Sequence, residues 1–110
     1  MTPIRSVKLT GTAQISLRLL RENIKARFGE SAWVQTNQRL RQTLDTLQQY
    51  PFSGTAVQEV EQLGSLGYRQ AISGMNRVIY KVDGETIYVA YIIDVRQDLQ
   101  KLVDTLVLMT

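Results

Sequence analysis

Apolar and polar residues alternate at the start of the chain, where Val7 and Leu9 flank Lys8 and precede Thr10. A period of two predicts a short strand over residues 4–10. Gly11 and Thr12 break the alternation, and the Thr12 hydroxyl is placed to cap a helix. From there Ala13, Leu17, Leu20, Ile24 and Phe28 recur at steps of four, three, four and four. That is one apolar stripe of a helix over residues 12–29, with Gly29 suited to its left-handed stop. Ser31 is the expected cap of a second helix over residues 31–49. Trp33, Leu40, Leu44 and Leu47 mark its buried face, Asn37 interrupts it, and Pro51 closes it. So short a connection predicts an antiparallel helical hairpin.

Residues 51–66 have no sustained period and read as a loop with one helical turn around Val57 to Leu63. After Gly67 the period changes from 3.6 to 2, and three strands are expected over 67–73, 75–83 and 85–94. Turns fall at Ser73-Gly74 and at Asp83-Gly84, the strongest hairpin signal in the chain. On the last strand Ile87, Val89, Tyr91 and Ile93 lie on one face and Tyr88, Ala90 and Ile92 on the other. Apolar residues on both faces place that strand centrally. Leu99, Leu102, Val103 and Leu106 then predict a short helix, followed by the apolar Val107-Leu108-Met109, which would pack on the body or be covered by a partner. The fold class is α+β: a small, twisted, mostly antiparallel sheet packed against an N-terminal helical hairpin, in the order β-α-α-β-β-β with a C-terminal helical tail. The first strand adds to an edge of the three-strand meander. One domain spanning residues 1–110 is expected, without repeats or linkers.

Composition narrows the chemistry. With 110 residues and 44% apolar content, the chain is long enough and apolar enough for a real core. It has no cysteine and no histidine. Thiolate nucleophiles, Ser-His-Asp and Cys-His arrangements and ordinary zinc sites are thereby excluded. No apolar run approaches a membrane span, and no secretory leader is evident, so a cytoplasmic protein without a membrane partner is expected. Residues 1–50 carry Arg5, Lys8, Arg18, Arg21, Lys25, Arg27, Arg39 and Arg41 against Glu22, Glu30 and Asp45. Such a basic half suits an acidic partner or a phosphate backbone, or is simply a solvated helix surface.

Site motifs are mostly missing. No phosphate-binding lysine loop, GxGxxG or calcium loop is present. Gly64-Ser65-Leu66-Gly67 matches the GxxG of an RNA-binding KH loop, but that loop joins two helices and this one precedes a strand. Arg69, Arg77 and Arg96 are the candidates that remain. Arg69 and Arg77 sit on neighbouring strands and are expected to project from one face, where guanidinium groups would hold phosphate or carboxylate. Alternatively each pairs separately with an acid such as Glu59, Asp94 or Asp98.

Tyr68-Arg69, then Ser73-Gly74-Met75-Asn76-Arg77-Val78-Ile79-Tyr80, resembles the RelE/ParE superfamily of bacterial toxins. So do Pro51-x-x-Gly54 after the helical hairpin and Ile92-Ile93-Asp94-Val95-Arg96-Gln97-Asp98-Leu99, followed by Leu102 and Leu106. The resemblance spans nearly the whole chain in order. Arg96-x-Asp98-Leu99 leading into a leucine-rich helix is similar to ParE, whose members poison DNA gyrase. RelE-like members instead cut mRNA on the ribosome, using basic residues on the first meander strand, an arginine on the second and a C-terminal Tyr, or His and Tyr. Arg69 and Arg77 match two of those positions, but Ala71 stands where a further lysine is expected, and Gln97 to Thr110 contains neither Tyr nor His. Arginine is a poor proton donor at neutral pH.

The resemblance thus implies a ParE-like toxin that inhibits gyrase by binding, serves plasmid or prophage maintenance and is neutralised by a cognate antitoxin in a hetero-oligomer. It implies no cofactor and no metal. Arg69, Arg77, Arg96, Asp98, Leu99, Leu102 and Leu106 become the candidates for contact with target or antitoxin. The alternative is a ribosome-dependent mRNA interferase with a diverged site, in which Arg69, Arg77 and Arg96 would be catalytic. A third reading is a small basic domain that only binds an antitoxin-like peptide or nucleic acid.

Overall fold

A computed structural model describes the backbone of residues 5–109 and the side chains of residues 5–105. The elements run β1 (Ser6–Leu9), α1 (Gly11–Phe28), α2 (Glu30–Gln49), β2 (Thr55–Ala56), α3 (Glu61–Ser65), β3 (Arg69–Ser73), β4 (Asn76–Asp83), β5 (Thr86–Asp94) and α4 (Leu99–Met109). The five strands form one sheet in the order β1-β5-β4-β3-β2. β1 is parallel to β5 and every other pair is antiparallel, so the expected mostly antiparallel sheet is present, with β1 at an edge.

Both hairpin turns fall one residue later than expected. Their central residues are Gly74-Met75 and Gly84-Glu85, since Ser73 pairs with Asn76 and Asp83 with Thr86. Only the glycines have positive φ, +61° and +59°, which is the type II′ pattern with glycine in first place. Helix starts shift too. Thr10, not Thr12, caps α1, its hydroxyl accepting from the Ala13 N–H at 3.2 Å. α2 begins directly after Gly29 rather than behind a Ser31 cap. Gly29 alone joins the two helices at φ 92°, ψ 175°, a region essentially closed to residues with a Cβ.

One irregularity decides which residues face where. Tyr80 pairs with Val89, but Ile79 pairs with Tyr91, so Ala90 is an extra residue, a β-bulge. Expected faces on β5 are therefore correct only before it. Ile87 and Val89 pack toward the hairpin, and beyond the bulge Ile92 takes that face while Tyr91 and Ile93 turn to the other.

Past Val89, β1 no longer covers the outer edge of β5, and α1 runs there instead. The Thr10 N–H donates to the Val89 carbonyl at 3.0 Å as the last strand-like contact. Two residues on, the Thr12 hydroxyl donates to the Ala90 carbonyl at 2.9 Å. The Ser16 hydroxyl then accepts from the Ile92 N–H at 3.0 Å and donates to the Ala13 carbonyl. Two hydroxyls four residues apart thus satisfy an edge that would otherwise carry unpaired backbone groups.

Each face of the sheet buries its own core. Ala13, Leu20, Leu40 and Leu47 of the hairpin pack on Val78, Tyr80, Ile87, Val89 and Ile92. On the other face, Val57, Val60, Leu63, Leu99, Leu102 and Val103 cover Ile79, Tyr91 and Ile93. Leu17, Ile24 and Leu44 are half-buried, as is Trp33, whereas Phe28, expected in the stripe, is 66% exposed at the end of α1. α4 extends through the expected apolar tail, but the side chains of Leu106 and Val107-Leu108-Met109 lie outside the described residues.

Replacing Ser16 by alanine removes the partner of the buried Ile92 N–H. An unmatched buried donor costs about 1–3 kcal/mol. The Ser16→Ala protein is expected to show a lower denaturant midpoint and faster amide exchange at Ile92. A loss under about 0.5 kcal/mol, the range of an ordinary surface change, would show that the edge is satisfied otherwise.

Candidate functional site

Arg69 lies on the hairpin face of the sheet, opposite Tyr80. Its guanidinium donates to the Gly54 carbonyl at 2.9 Å and the Phe52 carbonyl at 3.3 Å, and stands 5.3 Å from the Phe52 ring centre. Arg5 approaches the same ring at 5.8 Å. Beneath them Tyr80 is fully buried, and its hydroxyl donates to the Pro51 carbonyl at 2.8 Å and accepts from the Gly54 N–H at 3.0 Å. The Pro51-x-x-Gly54 motif is thus a backbone clasp closed by one phenol. Only glycine fits at 54, since a Cβ there would lie 2.5 Å from the Gln70 carbonyl oxygen and 2.5 Å from the Tyr80 hydroxyl. Burial pushes the Tyr80 hydroxyl pKa up, against the smaller effects of the Gly54 N–H and Arg69.

Arg77 occupies the other face, contrary to the expectation that the two arginines project together. A two-residue turn pairs odd positions with even ones, as in Arg69 with Tyr80 and Ile72 with Arg77. Two odd-numbered residues then fall on opposite faces; a three-residue loop would have joined them. Arg77 is 7% exposed, and its guanidinium is paired with the Glu59 carboxylate. Glu59 belongs to the irregular segment between β2 and α3, so this pair fastens that segment to the sheet.

Arg96 follows β5 at the surface and grips Asp94 with two parallel bonds, Nε to Oδ1 at 2.9 Å and Nη2 to Oδ2 at 3.0 Å. The Arg96 backbone N–H donates to the same carboxylate. These bonds hold the Asp94 carboxyl below the usual carboxylate range, with Arg27 adding a smaller pull. Asp98 pairs with no arginine and instead caps α4, accepting from the Lys101 N–H at 3.1 Å. Leu99 and Leu102 are 2% and 7% exposed and anchor α4 to the sheet.

The three arginines therefore do not form one cluster. Arg77 and Arg96 pair separately with acids, and Arg69 is taken by carbonyls and an aromatic ring. Tyr80 and Tyr91 are the tyrosines whose hydroxyls burial pushes upward, away from neutral proton transfer. A depression of about 260 Å³ between α1 and β5, lined by Ser16, Leu19, Asn23, Asp94 and Gln97, contains none of the three arginines. Among the described residues no group of acids is placed to hold a metal ion, and no helix is long and apolar enough to cross a membrane. Gly64-Ser65-Leu66-Gly67 is explained by the fold. Gly64 lies against the Val57 carbonyl, where a Cβ would sit at 2.4 Å, and Gly67 takes φ 86° in the turn into β3. Sequence reasoning passed over Phe52, whose role rests on a cation–π contact with residues far along the chain.

The family model for the ParE toxin of type II toxin–antitoxin systems, parDE, matches residues 7–99. Among solved structures, the chromosomal ParDE toxin–antitoxin system of P. aeruginosa superposes with a TM-score of 0.65 at 20% identity, covering 83% of this chain and 96% of that one. The RelBE2 toxin–antitoxin complex of Mycobacterium tuberculosis gives a TM-score of 0.50 at 20% identity, covering 84% and 99%. At such identities the two structures show a shared fold. No curated protein matches the sequence.

Two variants check this geometry. Tyr80→Phe leaves the Pro51 carbonyl and Gly54 N–H without their partner, and a loss of about 1–3 kcal/mol is expected in denaturant unfolding. An unchanged midpoint would show that the clasp is idle. Asp94 has a folded pKa below its unfolded one, so its contribution is present above the ordinary carboxylate range and is lost as pH falls through the folded value. The stability gap between the parent and Asp94→Asn should hold steady near neutral pH and close in acid. A gap that widened in acid would contradict the pairing.

Proposed function

The chain belongs to the ParE toxin family of type II toxin–antitoxin systems, and from that premise we propose that it acts inside the cell by binding DNA gyrase and trapping it on cleaved DNA. The observation that carries this reading is the dispersal of Arg69, Arg77 and Arg96, each engaged within the fold. A ribonuclease needs a phosphate clamp and proton-transfer groups converging on one scissile bond. A binding inhibitor needs a shaped, rigid surface, which a sheet buried on both faces supplies. Family membership supports a cognate antitoxin as the neutralising partner, and both neighbouring structures are toxin–antitoxin systems. An acidic segment that folds on binding would suit the basic N-terminal half.

Purified protein is expected to inhibit gyrase supercoiling and to leave ribosome-bound mRNA uncut. Addition of the product of the adjacent gene should copurify with it and restore supercoiling. Codon-specific mRNA cuts that vanish in Arg77→Ala would replace gyrase inhibition with ribosome-dependent cleavage.

A further inference from the structure

The β3–β4 turn projects two large apolar side chains into solvent: Ile72 is 60% exposed and Met75 is 56% exposed. Residues on either side of the tip are buried, Ser73 at 4% and Asn76 at 7%. The turn is held from two directions. The Val95 N–H donates to the Met75 carbonyl at 2.8 Å. Arg39 reaches from α2 across the turn, so that a Cβ on Gly74 would lie 3.1 Å from its Nη1. An apolar tip that is already ordered loses little freedom on association.

Basic groups frame this tip. Asp94 pairs in register with Asn76, and Arg96 is bonded to Asp94 with its side chain 70% exposed. Arg39 is exposed, and among the described residues it makes no ion pair. One guanidinium thus lies against the turn and a second beside the strand end that pairs with it, with Met75 bare on the tip and Ile72 bare on the sheet face away from the hairpin. Methionine and arginine are enriched at protein interfaces, and a phosphate backbone would leave Ile72 and Met75 unused.

We propose that this tip, Met75 flanked by Arg39 and Arg96 with Ile72 behind it, is the docking surface for a protein target that presents an apolar socket rimmed by carboxylates. The surface is read from the geometry, while gyrase as the target rests on the function proposed above.

The test compares the full-length chain with Met75→Asp and Arg39→Glu, and with Leu66→Ser as an exposed apolar control on the α3–β3 turn. Each is measured for inhibition of DNA gyrase, growth arrest on induction without antitoxin, and binding to a short DNA duplex. Melting confirms the fold. Both tip variants are expected to weaken inhibition roughly tenfold or more and to relieve growth arrest, while the control acts like the parent. Tip variants as potent as the parent would overturn the proposal. So would a loss confined to Arg39→Glu that tracks DNA binding, which would mark a phosphate-binding patch. If the parent arrests growth without inhibiting gyrase, the gyrase reading falls alone, and growth arrest in the same variants decides the surface. A parent that does neither removes both.

Discussion

The fold depends on how the outer edge of β5 is satisfied. β1 covers that edge through Val89 and then stops, and the Thr12 and Ser16 hydroxyls of α1 finish the work of a strand. An unpaired central strand would be a liability, because each free buried N–H or carbonyl carries a desolvation penalty. This substitution also sets the angle of α1 on the sheet. Once α1 is fixed, Gly29 reverses the chain with no spare residue, and α2 is fixed as well. The Ala90 bulge belongs to the same device, since it turns Ile92 toward the helix whose serine receives its N–H.

On the sheet so placed, charge is kept apart. Arg69 stabilises the α2–β2 clasp on one face, Arg77 fastens the segment before α3 on the other, and Arg96 braces the exit from β5. Burial of Arg77 is tolerable only because Glu59 reaches it; an unpaired guanidinium there would be strongly destabilising. The outcome is a scaffold whose best-conditioned arginines are structural. Exposed cations without an ion pair among the described residues, such as Arg27 and Arg39 on the helical hairpin, remain available to a partner.

Much of this was legible in the sequence. The helical stripes, the change of period after Gly67 and the two glycine turns specified every major element. Single-residue offsets escaped it. Between Val89 and Ile93 every residue is apolar, so a bulge leaves no trace in the alternation. Thr10 and Thr12 are equally good caps by type, and tertiary contact with Ala90 assigns Thr12 elsewhere. Ser16 looked like a polar residue beside an apolar stripe, because its partner is 76 positions away. The site followed the same rule. Glu59 and Asp94 were recognisable as partners for arginines, whereas the face of each arginine depended on a turn length that composition does not encode.

Both β1 and α1 close onto β5, and their contacts span most of the chain: the Thr12 bond to Ala90 crosses 78 positions and the Ser16 bond to Ile92 crosses 76. β5 is also the strand on which β4 pairs and the other core rests. During synthesis the hairpin emerges early but has nothing to pack against, and neither core can close until residue 94 has left the ribosome. Folding of this chain therefore has long loops to close before either core forms. A chain that stops short of β5 is left with bare helices and neither core, so the strand made after the helices decides whether they have anything to fold on.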